Sequence, residues 1–151
     1  MKDLQITTNG IALILKFETW QHKSYDDGYG YYTIGVGHRV KGNKKNITIS
    51  SEAVWRLFVE DLKAVEAVVT DAVTVTLTNG QFDALVSFAF NVGTSAFKKS
   101  TLLKLLNNGD YAGAAKQFDR WVMVNGIRSK GLVTRRQYER AMFENIDFLI
   151  S

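Results

Sequence analysis

Residues 24–38 most constrain what this chain can fold into. Within that stretch four glycines (Gly28, Gly30, Gly35, Gly37) interleave with Tyr25, Tyr29, Tyr31, Tyr32, Thr33, Ile34 and Val36. Aromatic and β-branched side chains favour extended backbone, and glycine permits the positive φ of tight hairpin turns. The segment therefore predicts a small β-hairpin or three-stranded sheet that runs to about Ile49. On both sides of it, apolar residues recur every three or four positions, which is the helical period. The expected fold class is α+β, with a small β-rich lobe at about 19–50 and a larger helical lobe at about 51–151 that also takes the N-terminal helix.

The helical predictions follow from pattern and punctuation. Gly10 to about Trp20 reads as a short helix capped by Thr8 or Asn9, with Leu13, Ile14 and Phe17 on one face and Glu18 at its end. Val54, Phe58, Leu62, Val65 and Val69 mark a long amphipathic helix over 52–72. Thr78 and Gln81 form a capping box before Phe82, Leu85, Val86, Ala89 and Phe90, and Gly93 is the stop. A shorter helix covers Leu102 to Leu106. Asp110 caps another that carries Ala114, Ala115, Phe118 and Trp121. After a loop from Gly126 to Gly131, Leu132 to Phe143 forms the last helix, with Val133, Tyr138, Met142 and Phe143 expected to face the core. No repeat or linker interrupts the 151 residues, so a single domain is expected.

Composition narrows the chemistry. The chain has no cysteine, which excludes disulfides, Cys-based zinc sites and a thiol nucleophile. Its formal charge is +4, a balance that suits acidic partners. The surplus is local: residues 98–140 hold ten bases against three acids, either a solvated helical surface or a face for a polyanion or membrane. No recognised nucleic-acid motif accompanies that charge. No apolar run approaches the roughly 20 residues that span a bilayer, and no export signal is visible, so synthesis in a cytoplasm is expected. The two histidines, His22 and His38, lack zinc-type partner spacing, so neither metal nor cofactor is expected.

Carboxylates remain. Glu18 ends a helix, Asp27 lies in the turn Asp26-Asp27-Gly28, and Thr33 sits in the returning strand. A helix end, a turn and a strand can bring these three around one groove. Two carboxyl groups across a groove are the minimum equipment for cleaving a glycosidic bond, one as proton donor and one ionised. The spacing alone is equally that of an ordinary turn and an ordinary surface acid.

The surrounding residues add a resemblance. Glu18, Asp27 and Thr33, followed by Ile34-Gly35-Val36-Gly37-His38, are spaced as in the phage-type lysozymes, the endolysin muramidases of glycoside hydrolase family 24. Tyr31 to His38 resembles that family's signature. Phe82 to Gly93 is similar to its central helix, and Ser100-Thr101-Leu102 and Asn107 to Tyr111 to its next landmarks. Trp121, Gly131-Leu132-Val133 and Arg135-Arg136 resemble its C-terminal signature, so the likeness runs through nearly the whole chain in one order.

The resemblance implies a two-lobed lysozyme-like fold with a cleft between the lobes. It implies hydrolysis of the β-1,4 bond between N-acetylmuramic acid and N-acetylglucosamine in peptidoglycan. Glu18 would be the general acid and Asp27 the second carboxylate. Thr33 would help Asp27 hold a water on the opposite sugar face, which implies inversion. Phe90, Asn91 and Arg135 match positions expected to bind substrate or line the cleft, with Arg135 placed toward Glu18; core packing is the other reading of Phe90. His38 is expected to brace the β lobe by a hydrogen bond. Peptidoglycan is the expected partner of a monomer, with a weak secondary contact to anionic surfaces and none to nucleic acid. The family precedent is accumulation in the host cytoplasm until a separate pore-forming protein gives access to the periplasm and wall. A lytic transglycosylase and a non-catalytic cationic wall-binding module are the alternatives.

Overall fold

The structure is a computed structural model and describes residues 4–26, 32–40 and 47–146. The chain divides into two compact units. One comprises residues 15–64, and the other joins residues up to Ile14 with those from Val65 onward.

In the 15–64 unit the glycine- and tyrosine-rich segment folds as a three-stranded antiparallel sheet in the order β1 (Trp20–Asp26), β2 (Tyr32–Val36), β3 (His38–Val40). Trp20 pairs with Val36 and Tyr25 with Thr33, with an irregularity in β1 between Gln21 and Tyr25. Ile34 pairs with His38, so the chain reverses within three residues. Gly35 and Gly37, both at φ +68°, flank Val36 at the centre of that reversal, and an L side chain would be strained at either. Residues 47–49 add to β1: Ser24 N donates to Ile47 O at 2.7 Å and Ile49 N to His22 O at 2.8 Å. The sheet region therefore extends to Ile49 as expected, although the expected turn at Gly28 and Gly30, and the basic Lys41, Lys44 and Lys45, lie outside the described residues. Ile34 and Val36 of β2 are buried, as are Val54, Phe58 and Leu62 on α2 (Ser51–Ala72). Ser50 Oγ accepts from Ala53 N at 3.1 Å and so opens that helix.

The other unit is helical. α1 (Thr8–Phe17) starts in it and buries Leu13 and Ile14. Its cap is Thr7, one or two residues before the expected Thr8 or Asn9, because Thr7 Oγ1 accepts from Gly10 N at 3.4 Å. Thr7 is itself held by Asp83: its backbone N–H donates to Oδ1 at 2.9 Å and its hydroxyl donates to Oδ2. Gly10 is required there, since a Cβ would stand 2.7 Å from Asp83 Cγ.

α3 (Asn79–Val92) begins with the expected capping box, Thr78 and Gln81 bonding reciprocally, and stops at Gly93. Every residue from Phe82 to Ala89 is buried, so the helix is covered all round rather than along one stripe. α4 (Thr94–Lys99) is a short helix the periodicity did not predict. α5 (Thr101–Asn107) and α6 (Tyr111–Gln117) follow, capped by Ser100 and Asp110. The helix that begins at Asp110 does not carry through to Trp121. It tightens into a 3-10 turn at Phe118–Arg120, which directs Phe118 and Trp121 edge-on to Phe88, each at 5.3 Å between ring centroids. A two-residue hairpin with strands β4 (Met123–Val124) and β5 (Ile127–Arg128) occupies the predicted loop, turning at Asn125 and Gly126 with positive φ.

α7 (Lys130–Phe143) corrects the expected core face. Phe143 is buried, but Val133, Tyr138 and Met142 are only half-buried. The fully buried positions are Arg135, Arg136, Glu139 and Ala141. Charged residues can take the core face here because they neutralise and bond one another. Two of the ten bases in 98–140 are thereby withdrawn from the surface.

Candidate active site

Glu18 follows immediately after the last residue of α1 and is half-buried, with Trp20 opening β1 two residues later. The expected helix to Trp20 thus stops at Phe17, which leaves Glu18 at a helix-to-strand junction. Thr33 lies inside β2, opposite Tyr25 on one side and Arg39 on the other. The sheet register links these two regions. Val36, three residues after Thr33, pairs with Trp20, two residues after Glu18. Asp27 lies outside the described residues, one position past the end of β1.

Thr33 has an unusual environment for a hydroxyl. It is 5% exposed, and its Oγ1 is buried with no hydrogen-bond partner among the described residues. A buried hydroxyl without a partner costs about 1–3 kcal/mol. The hydroxyl keeps its hydrogen-bonding capacity unused, and bonding an oxygen that reached it would recover that cost.

His38 opens β3, and its Nδ1 stands 2.8 Å from Oδ2 of Asp61 on α2. That contact ties the third strand to the helix within one unit. Among the described residues no group of three or more His, Asp or Glu side chains could hold a metal.

Phe90, Asn91 and Arg135 belong to the helical unit. Phe90 and Asn91 occupy the last turn of α3, both half-buried. Asn91 Oδ1 accepts from Arg136 Nη2, so its side-chain orientation is set by α7. Arg135 is 3% exposed; its Nε donates to Glu139 Oε2 at 3.1 Å and its Nη2 to the Ser87 carbonyl at 3.1 Å.

Sequence reasoning did not single out the residue that organises this cluster. Glu139 is fully buried and accepts from Arg136 Nη1 at 2.7 Å, Arg135 Nε at 3.1 Å and Ser87 Oγ at 2.6 Å. Arg136 also donates to the Trp121 carbonyl at 2.9 Å, and its guanidinium lies 5.1 Å from the Phe88 ring centre. The signal was present in the spacing: an acid three and four residues after two adjacent arginines shares their helix face.

The phage lysozyme family model matches residues 15–139. An endolysin of Acyrthosiphon pisum secondary endosymbiont phage 1 is 40% identical over 146 residues, covering 94% of this chain and 99% of that protein. Among solved structures, the muramidase domain of SpmX from Asticaccaulis excentricus matches with a TM-score of 0.82 at 33% identity, over 92% of this chain and 97% of the other. A mutant of the lysozyme of phage P22 matches with a TM-score of 0.77 at 40% identity, over 93% and 99% respectively.

Proposed function

The chain belongs to the phage lysozyme family, and from that premise we propose that this peptidoglycan-hydrolysing lysozyme works through Glu18, Asp27 and Thr33. Glu18 donates a proton to the oxygen of the β-1,4 bond between N-acetylmuramic acid and N-acetylglucosamine as that bond breaks. Asp27 takes a proton from a water on the opposite face of the sugar, and Thr33 Oγ1 holds that water. Attack from the face opposite the leaving group inverts the anomeric centre. The carrying observation is the Thr33 hydroxyl, buried without a partner among the described residues on the strand that follows Asp27. A hydroxyl retained there at a cost to folding is explained by an oxygen it binds during reaction.

Phe90 and Asn91 line the substrate site in this reading, with Arg136 holding the Asn91 amide, and Arg135 assists from α7. No cofactor takes part. The whole chain acts as one monomeric lysozyme domain. It works as an endolysin, held in the host cytoplasm until release and then acting on the wall. Among the described residues no helix is long and apolar enough to cross a membrane.

Zymography on purified peptidoglycan tests the assignment. Glu18→Gln is expected to lower turnover about 10²–10⁴-fold, the usual contribution of a positioned proton donor, with the fold unchanged. Undiminished clearing by that variant overturns the role. Mass analysis of the fragments decides the reaction: new reducing ends mark hydrolysis, whereas 1,6-anhydro ends mark a transglycosylase. Retained anomeric configuration in the first product refutes inversion.

A further inference from the structure

Two tryptophans in the 15–64 unit are left in water. Trp20, at the start of β1, is 39% exposed, and Trp55, on the second turn of α2, is 46% exposed. They come from elements 35 residues apart in the chain, yet their rings stack with centroids 6.2 Å apart and an interplanar angle of 27°. Trp55 is anchored from beneath by the buried Phe58, at 5.7 Å and 57°. Single exposed apolar residues are ordinary, but two indoles brought together, each keeping more than a third of its surface in water, form a patch.

Three observations define the occupant. First, among the described residues of this unit, these are the two exposed large hydrophobic side chains, so its most exposed apolar surface is aromatic. Aromatic faces alone suit the polarised C–H face of a pyranose ring, because the ring quadrupole is negative above its plane. Second, the patch has a polar rim from the same two elements. Ser51 lies one helical turn before Trp55 on the same helix face, and its Oγ stands 3.5 Å from Nε2 of the exposed His22, two residues after Trp20. A contact that long and that exposed leaves both groups able to bond sugar hydroxyls. Third, Trp20 is two residues from Glu18, so their Cα atoms are at most about 7 Å apart. A polymeric glycan cleaved at Glu18 carries further sugars past it.

We propose that Trp20 and Trp55 form a stacking platform for a sugar ring of the peptidoglycan glycan strand, with Ser51 and His22 bonding its hydroxyls. This rests on the muramidase reading above for the identity of the polymer. The platform adds binding of long glycan and no chemistry, so it acts on KM rather than on kcat.

The test uses the full chain carrying Glu18→Gln, which slows turnover, and two probes. These are insoluble peptidoglycan sacculi and a soluble tetrasaccharide of alternating N-acetylglucosamine and N-acetylmuramic acid. Adding Trp20→Ala or Trp55→Ala is expected to weaken binding to sacculi about tenfold, a loss of about 1.4 kcal/mol. In the otherwise wild-type chain the same substitutions raise KM on sacculi and leave kcat within about twofold. Unchanged binding by variants with native circular dichroism overturns the platform. A readout free of these substitutions covers the case in which they disturb folding. The chain has three tryptophans, so with Trp121→Phe all remaining indole fluorescence comes from Trp20 and Trp55. Saturating glycan is expected to shield that fluorescence from acrylamide, and unaltered quenching overturns the proposal. Shielding by phosphatidylglycerol vesicles but not by glycan also overturns it, in favour of a membrane contact. Hydrolysis by the wild-type chain is scored in parallel. Absence of new reducing ends there refutes the muramidase reading, while Trp-dependent glycan binding remains a separate result.

Discussion

Arg136 donates from Nη1 to Oε1 of Glu139 at 2.7 Å, three positions apart on α7, with side chains 1% and 0% exposed. The carboxylate's other oxygen faces Arg135 at 3.1 Å. One acid thus faces two buried guanidinium groups, which also bond the Ser87 and Trp121 carbonyls and the Asn91 side-chain oxygen. Removing one partner of a buried pair is far costlier than never having had the pair, because the remaining charge stays out of water. Glu139→Ala is therefore expected to destabilise the protein by about 3–5 kcal/mol in urea denaturation. Glu139→Gln keeps the shape and loses the charge, so it should lie between the two. A change below about 1 kcal/mol for Glu139→Ala would show that Arg135 and Arg136 do not depend on this carboxylate for their burial.

This cluster also marks where the sequence stops being readable by periodicity. The three-stranded sheet, the capping box at Thr78 and Gln81 and the stop at Gly93 each follow from local chemistry, and local chemistry is visible in a linear chain. Hydropathy pointed α7 the wrong way, since it ranks Arg135, Arg136 and Glu139 as surface residues. Their burial depends on Ser87 and Trp121, which lie 48 and 15 positions from the arginines they meet. The same limit applies at α1, where the cap moved to Thr7 because Asp83, 76 positions away, holds that residue. At the candidate site, spacing and resemblance singled out Glu18 and Thr33, but only the fold shows that the Thr33 hydroxyl is buried and unpartnered among the described residues.

The Thr7–Asp83 link has a pH signature. Burial pushes the Asp83 carboxyl above its ordinary value of 3.8, outweighing the two bonds from Thr7 that favour the charged form. The native state then holds its proton to higher pH than the unfolded chain does. Linkage makes stability fall as pH rises through that window, starting near 3.8, and level off above the raised value. Asp83→Asn cannot titrate. The stability of wild type relative to Asp83→Asn is expected to decline from pH 4 toward neutrality in paired urea titrations. A difference that grows with pH would show that the Thr7 bonds outweigh burial.

His38 and Asp61 form the partly exposed counterpart to the α7 cluster, with side chains 33% and 29% exposed. Ion pairs in such positions are worth about 0–1 kcal/mol. Asp61→Asn keeps an acceptor oxygen for the imidazole and should cost no more than that. If His38 acts by bracing β3 against α2, His38→Gln should leave the pH–activity profile of peptidoglycan hydrolysis where it is in wild type. Loss of one limb of that profile would instead make His38 a proton-transfer group.

Thr33 separates stability from activity most sharply. Valine has nearly the shape of threonine and lacks the hydroxyl, so Thr33→Val removes a buried polar atom that has no partner among the described residues and leaves the packing of β2 intact. Removing a polar group that folding leaves unsatisfied does not expose another, so stability should hold or rise by about 1–2 kcal/mol. A water that Thr33 positions for attack would lose one of its anchors, and misplacing a reactant by about 1 Å can cost 10²-fold in rate. The expected result is a chain that melts no lower than wild type and clears peptidoglycan at least about tenfold more slowly. Serine restores the hydroxyl without the methyl, so Thr33→Ser should recover most of the rate at some cost in stability. A Thr33→Val chain that is both less stable and fully active would reverse the assignment and make the hydroxyl a structural group.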